Sequence, residues 1–187
     1  MAVEGTSGNG IGGDLFAIVW SAEHQKLYGL NASGRSPMGL SYEELQKELD
    51  KRGRDDIPAY GMLPISVPGT VDGWFELHDR FGQMPMEKVL QPAIDYARKG
   101  FPVSELISYY WRLSVPHLSK QPGAFEETFT IDGEGPEKGE IFKNPDLANT
   151  LSKIAEGGRD VLCEGELAEK IDQFTREQEG HVPTEEA

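Results

Sequence analysis

The sequence predicts an α+β fold that is mostly helical and contains one β-hairpin. The hairpin is indicated by the apolar run at residues 15–20, which is too short for a helix and rich in β-branched and aromatic side chains. The helices are indicated by apolar residues at helical spacing after residue 41, with capping residues where the patterns begin. Because two strands do not form an independently stable sheet, we expect the chain to hold only part of its fold.

The predicted hairpin consists of a strand at residues 15–20, a polar turn at residues 21–26 and a returning strand at residues 27–31. The first strand is apolar throughout, so we expect it to be buried on both faces. Residues 1–40 therefore form a segment of glycine loop and hairpin, and residues 41–187 form a mainly helical segment. No linker between them indicates two separate domains.

The helical segment has six helical patterns, some of them with clear terminal signals. Ser41 and Glu44 have the spacing of a capping box, Pro85 suits the first turn of a helix, and Asn144 suits an N-cap. Pro116 is expected to interrupt the helix in which it lies. Helices are thus predicted over about 41–52, 69–81, 85–99, 104–115, 144–157 and 165–178, with loops at 54–68 and 119–139.

The composition excludes several classes of function. The chain has 187 residues, with 18 Lys and Arg against 32 Asp and Glu, and its formal net charge is −14. This charge disfavours binding to nucleic acid or to an anionic membrane, both of which require basic side chains. There is no apolar run long enough to span a bilayer and no pattern typical of a signal peptide. The compartment stays open: cytoplasmic, periplasmic and secreted locations all fit.

Several familiar motifs have structural interpretations here. Residues 8–13 match the spacing G-x-G-x-x-G, but a strand follows them instead of preceding them, so a dinucleotide site is disfavoured. Cys163 cannot form an internal disulfide or a zinc site alone, and adjacent Glu164 should raise the pKa of its thiol and leave it unreactive.

The aromatic run at residues 109–111 is expected to contact the core or a partner. The histidines at positions 24, 78, 117 and 181 lack metal-ligand spacing, and we expect neither a metal nor a cofactor.

Arg35 is the one candidate binding residue. It follows the returning strand within a turn of small residues, 31–37. An arginine presented at the end of a strand can bind a substrate carboxylate through two parallel hydrogen bonds. The alternative is a surface arginine, or one paired with any of the many acidic side chains.

Collinear blocks along residues 8–187 carry a family resemblance. The most recognisable is V-P-G-T-V-D-G-W at residues 67–74, and the glycine-rich entry to the first strand is G-I-G-G-D-L-F at residues 10–16. The other blocks are F-G-Q-M-P at 81–85, Q-P-A-I at 91–94, G-F-P-V at 100–103, G-E-I-F at 139–142, N-P-D-L-A at 144–148 and G-E-L-A-E-K-I at 165–171. In this order they resemble the γ-glutamyltransferase family, also called γ-glutamyltranspeptidases or glutathione hydrolases.

The resemblance implies an N-terminal-nucleophile hydrolase, a four-layer αββα sandwich made as a precursor that cuts itself into large and small subunits. The N-terminal Thr of the small subunit would attack a γ-glutamyl compound such as glutathione, and water, an amine or a peptide would then accept the acyl group. Residues 1–187 match an interior part of the large subunit. We therefore expect no catalytic residue in this chain, no activity from it alone, and the small subunit as its partner.

One departure from the family pattern affects the substrate. The family places an arginine that binds the glutamate α-carboxylate in an R-E-x-A-P block, and aligning its proline with Pro37 puts Ser33 at that arginine's place. Arg35, two residues later, is the candidate to replace it. The alternatives are an acylase of the same fold that acts on another acyl amide, and a truncated, non-catalytic segment.

Overall fold

A computed structural model describes residues 10–37 and 39–178. In chain order the elements are β1 (Leu15–Ser21), β2 (Lys26–Ala32), α1 (Tyr42–Lys51), α2 (Thr70–Phe81), α3 (Met86–Lys99), β3 (Phe101–Pro102), α4 (Glu105–Leu118), α5 (Phe125–Phe129), β4 (Ile141–Phe142), α6 (Pro145–Gly157), α7 (Asp160–Cys163) and α8 (Glu166–Glu177). None of the helices in the described part of the chain has the length and apolar character needed to cross a membrane.

The described residues divide into two compact units. The hairpin unit comprises residues 12–80 and 159–178, and the helical unit comprises residues 10–11 and 81–158. The hairpin unit contains the candidate binding residue Arg35.

The hairpin is confirmed, and its register is continuous from Leu15 opposite Ala32 to Ser21 opposite Lys26. The expectation that β1 is buried on both faces is wrong. Alternate residues of a strand point to opposite faces, and the outer face of β1 carries Phe16, Ile18 and Trp20, which are 69%, 79% and 61% exposed. An unbroken apolar run shows that both faces of a strand can be buried. Whether the second face is buried depends on another layer of the tertiary structure that covers it.

The inner face of the hairpin packs against α2. A Cβ added at Gly73 of α2 would lie 2.6 Å from the Ala32 Cβ and 3.2 Å from a methyl carbon of Leu15, so the helix backbone lies directly under the hairpin. The guanidinium of Arg80, at the other end of α2, lies 4.3 Å from the centre of the Tyr28 ring. This is a cation–π contact.

Two helix starts in the sequence are confirmed by their caps. Ser41 Oγ accepts the Glu44 N–H while the Glu44 carboxylate accepts the Ser41 N–H at 2.9 Å, which completes the capping box of α1. Asn144 Oδ1 accepts the Leu147 N–H at 2.9 Å at the start of α6. The helix α3 begins at Met86, one residue later than predicted, and Pro85 is its N-cap.

The core of the helical unit lies between α3 and α6. The apolar stripe of α3 buries Leu90, Ile94 and Ala97, and α6 buries Leu151 and Ile154.

A second cluster of the helical unit surrounds Trp111, which is fully buried on α4. Its indole Nε1–H donates to the carbonyl oxygen of Phe129 at 2.8 Å, and its ring centre lies 4.6 Å from that of Phe142. Phe142 in turn pairs with Phe101 in the short antiparallel sheet of β3 and β4.

The sequence predictions for this region need two corrections. The helix α4 is not interrupted at Pro116 but continues to Leu118, so the proline lies in the last turn and removes one backbone donor there. The predicted loop at residues 119–139 contains the helix α5, whose end is held by the Trp111 indole. The strands β3 and β4 and the four-residue helix α7 had no signal in the sequence.

Candidate functional site

Arg35 lies in residues 33–37, the segment without regular secondary structure that follows β2. Hydrogen bonds hold the backbone on both sides of it. The N–H of Gly34 donates to Oδ1 of Asp14 at 2.9 Å, and the carbonyl oxygen of Arg35 accepts the N–H of Val67 at 3.0 Å. The two residues Gly34 and Arg35 are thus confined between two anchored peptide groups.

Glycines allow two stretches of backbone, residues 32–34 and 67–69, to approach each other closely. A Cβ at Gly34 would overlap the carbonyl oxygen of Val67, and a Cβ at Gly69 would overlap the carbonyl oxygen of Ala32. Both neighbours are backbone atoms that cannot rotate away. Only a residue without a Cβ fits at either position, so the packing of this region depends on both glycines.

The start of α2 is tied to the entry of β1. The carbonyl oxygen of Gly13 accepts two hydrogen bonds, from the N–H of Gly69 at 3.1 Å and from the N–H of Thr70 at 2.9 Å. Of the motif at residues 8–13, the first two positions lie outside the described residues. The last residue of the motif, Gly13, therefore caps the start of α2 with its backbone carbonyl group. A Cβ added at Gly10 or Gly12 would have nothing within 4 Å.

The side chain of Arg35 is exposed. Within residues 10–37 and 39–178, its guanidinium makes no hydrogen bond or ion pair, although acidic side chains are abundant. A free guanidinium can accept a ligand carboxylate in a bidentate arrangement. Ser33, two residues before Arg35, is half-buried, and its N–H donates to Oδ1 of Asn31 at 2.9 Å.

The histidines are scattered. His24 lies in the hairpin turn, His78 on α2 and His117 on α4, and His181 lies outside the described residues. Across the part of the chain that the structure describes, no three His, Cys, Asp or Glu side chains are placed to hold a metal ion.

Cys163 is buried at the end of α7. Burial raises the pKa of its thiol, and the negative charge of Asp72 raises it further, while Arg159 acts in the opposite direction. Arg159 also forms an ion pair with Asp72, with 2.5 Å between Nη1 and Oδ1. The predicted raised pKa is confirmed, but burial is its main cause and adjacent Glu164 is a minor one.

The aromatic run at residues 109–111 divides between core and surface. Trp111 is buried as described above, whereas Tyr109 and Tyr110 are 58% and 47% exposed. The prediction of a core contact is therefore confirmed for Trp111. For the two tyrosines, a partner contact stays a prediction.

Several solved structures match nearly the whole chain, and two of them are the following. A cephalosporin acylase from Bacillus halodurans has a TM-score of 0.89 and 34% identity, over 99% of this chain and 34% of that one. A γ-glutamyltranspeptidase from Helicobacter pylori has a TM-score of 0.89 and 25% identity, over 99% of this chain and 52% of that one. The chain therefore has part of an N-terminal-nucleophile hydrolase fold, and the predicted α+β class is confirmed.

The family is shown by sequence. The family model of γ-glutamyltranspeptidase matches residues 1–186, so the chain belongs to the γ-glutamyltranspeptidase family. It is 35% identical to a glutathione hydrolase-like proenzyme, YwrD, of Bacillus subtilis, over 87% of this chain and 30% of that protein. It is 34% identical to an oxamate amidohydrolase proenzyme of Klebsiella pneumoniae, over 88% of this chain and 31% of that protein. The chain thus spans about a third of the length of these relatives.

Reasoning from the sequence identified Arg35 but missed the side chain that anchors its loop, Asp14. A signal for it was present in the hairpin pattern. A register that pairs Leu15 with Ala32 sets Asp14 opposite Ser33, at the open end of the hairpin. From there the carboxylate reaches the next backbone N–H, that of Gly34.

Proposed function

We propose that this chain is part of the large subunit of an enzyme that hydrolyses or transfers γ-glutamyl groups, and that Arg35 binds the α-carboxylate of the γ-glutamyl substrate. The observation that carries the proposal is the guanidinium of Arg35. It is exposed, makes no ion pair within the described residues, and stands on a backbone held by hydrogen bonds on both sides. Membership of the family supports the proposed class of reaction.

In the proposed reaction, the hydroxyl oxygen of an N-terminal Thr outside residues 1–187 attacks the γ-amide carbonyl. The amine leaves with a proton, and an ester links the γ-glutamyl group to Thr. Water, or the amino group of an amine or peptide, then attacks that ester and frees the Thr hydroxyl. Arg35 takes no part in bond breaking; it orients the substrate, with glutathione as the expected donor.

The subunit partner would pack against the outer face of the hairpin. Phe16, Ile18 and Trp20 expose apolar surface side by side on β1, and Leu27 extends it on β2 opposite Trp20. Contiguous exposed apolar surface of this kind marks a protein interface. In the proposed enzyme, the rest of the sandwich covers this face, and the chain alone is inactive because it lacks the nucleophile.

The test uses the complete protein that contains this chain. The kcat/KM values of a γ-glutamyl anilide and a glutaryl anilide are compared before and after Arg35→Ala. The glutaryl substrate keeps the distal carboxylate and lacks only the α-amino group of glutamate. We expect a preference for the γ-glutamyl substrate and a rise in its KM of at least about 10-fold in the variant, the value of a charged hydrogen-bonded contact.

Arg54→Ala is the matched control. Arg54 is another partly exposed loop arginine of the hairpin unit, but its guanidinium is paired with Asp56 at 2.8 Å. The control should leave KM unchanged. Equal effects of the two substitutions, or none from Arg35→Ala, would refute the assignment.

A second candidate is an acylase or amidohydrolase that acts on a different acyl amide. It is favoured by Ser33 at the family's arginine place and by the similarity to a cephalosporin acylase and an oxamate amidohydrolase. Preference of the complete protein for the glutaryl anilide would support this candidate and reject the γ-glutamyl substrate.

A further inference from the structure

We propose that Asp14 is a positioning residue for Arg35: its carboxylate holds the segment after β2 so that the guanidinium is presented to the substrate carboxylate. This inference rests on the proposed role of Arg35. In this role Asp14 does not touch the substrate but acts through the backbone of Gly34.

The geometry of the hairpin places Asp14 for this task. Asp14 directly precedes β1, and Gly34 is the second residue after β2, so the two meet at the open end of the hairpin although they are 20 residues apart in sequence. Oδ1 of Asp14 accepts the Gly34 N–H at 2.9 Å in a partly buried setting. A hydrogen bond from a backbone N–H to a carboxylate is stronger than one between neutral groups.

The anchor of Asp14 is itself rigid. The preceding carbonyl group, that of Gly13, accepts the N–H groups of Gly69 and Thr70 at the start of α2. The carboxylate therefore extends from a backbone that is fixed to both a strand and a helix. Side chains that position a binding group must have such support if the group is to be held within a fraction of an ångström.

No other group in the described residues replaces this bond on the N-terminal side of Arg35. On the C-terminal side, the carbonyl oxygen of Arg35 is held by the Val67 N–H at 3.0 Å. On the N-terminal side, the Gly34 N–H donates its one hydrogen bond within the described residues to Oδ1 of Asp14. Without the carboxylate, the Gly34 N–H loses its acceptor, and the peptide group that leads into Arg35 is held less firmly.

The experiment is a double-mutant cycle on the complete protein, with Asp14→Ala, Arg35→Ala and the double variant, assayed with the γ-glutamyl anilide. We expect Asp14→Ala to raise KM about 10-fold with kcat changed less than about 3-fold, since substrate binding and not chemistry is affected. In the Arg35→Ala background the same substitution should change KM less than about 2-fold, because the group that Asp14 positions is gone.

Asp14→Asn is the matched conservative variant. Its amide oxygen can still accept the Gly34 N–H, so KM should stay within about 3-fold of wild type. Hydrogen exchange measured by mass spectrometry gives a readout independent of substrate. The peptide that contains Gly34 should lose protection in Asp14→Ala and keep most of it in Asp14→Asn, while peptides from α6 stay unchanged.

Each result decides between the claims. If Arg35→Ala leaves KM unchanged, the proposed function fails. If Arg35→Ala raises KM and Asp14→Ala does not, only the positioning role of Asp14 fails. Equal effects of Asp14→Ala in both backgrounds, a loss confined to kcat, or an Asp14→Ala protein that no longer folds would place Asp14 in general stability and overturn the inference.

Discussion

Gly34→Ala is the substitution that most directly tests the packing beneath Arg35. The added Cβ would overlap the carbonyl oxygen of Val67. Because the obstacle is backbone, the overlap is relieved only if the segment after β2 moves away from Val67. That movement lengthens two hydrogen bonds, the one from Gly34 to Asp14 and the one from Val67 to Arg35.

The cost follows from these two bonds. A neutral backbone hydrogen bond contributes about 1 kcal/mol and one to a charged group about 2 kcal/mol, so their loss lowers the free energy of unfolding by about 3 kcal/mol. The smaller conformational entropy of unfolded Ala returns about 0.4–1 kcal/mol. We therefore expect a net destabilisation of about 2 kcal/mol or slightly more.

Gly29→Ala is the matched control. Gly29 lies on the outer face of the same hairpin, and nothing lies within 4 Å of a Cβ built there. Alanine should be neutral or stabilising at this position by up to about 1 kcal/mol. The two variants should thus differ by about 2–3 kcal/mol in urea unfolding followed by far-UV circular dichroism. Unfolding free energies within about 0.5 kcal/mol of each other would refute the close approach at Gly34.

Two further predictions concern buried side chains. Trp111→Phe should lower the free energy of unfolding by about 2 kcal/mol in the same assay, because it leaves the Phe129 carbonyl without its donor; an unchanged value would exclude that hydrogen bond. Burial raises the pKa of Cys163, so the native thiol should react with a disulfide reagent at pH 8 at least about 100-fold more slowly than in urea. Because the pKa of Cys163 is raised in the folded state, its contribution to the free energy of unfolding is fully present below the ordinary thiol pKa of about 8.5 and decreases as the pH rises above that value. Cys163→Ala should remove this pH dependence.

The parts of the fold that could be predicted are those determined by neighbouring residues. The capping box of Ser41 and Glu44 and the N-cap Asn144 involve residues three positions apart, so their signals lie within one helical turn. The helix α5 could not be predicted, because its end depends on the Trp111 indole, 18 residues away from Phe129. Nor could the exposure of β1, since a covering layer is not a property of the strand.

The candidate site divides in the same way. That Arg35 follows a strand is visible in the sequence, because the apolar pattern of β2 ends just before it. The bond between Asp14 and Gly34 spans 20 residues and depends on the register of the hairpin. An alignment of β1 and β2 by pattern gives that register only to within a residue or two, and a shift of one residue would place Asp14 opposite a different backbone group.

The V-P-G-T-V segment connects the recognisable sequence with the candidate site. The backbone contacts of this segment show what it supports. The Val67 N–H binds the carbonyl oxygen of Arg35, and the N–H groups of Gly69 and Thr70 bind that of Gly13. The first partner is Arg35 itself, and the second, Gly13, directly precedes Asp14. We therefore expect substitutions in this segment to alter substrate binding through the backbone, even though none of its side chains is assigned to the substrate.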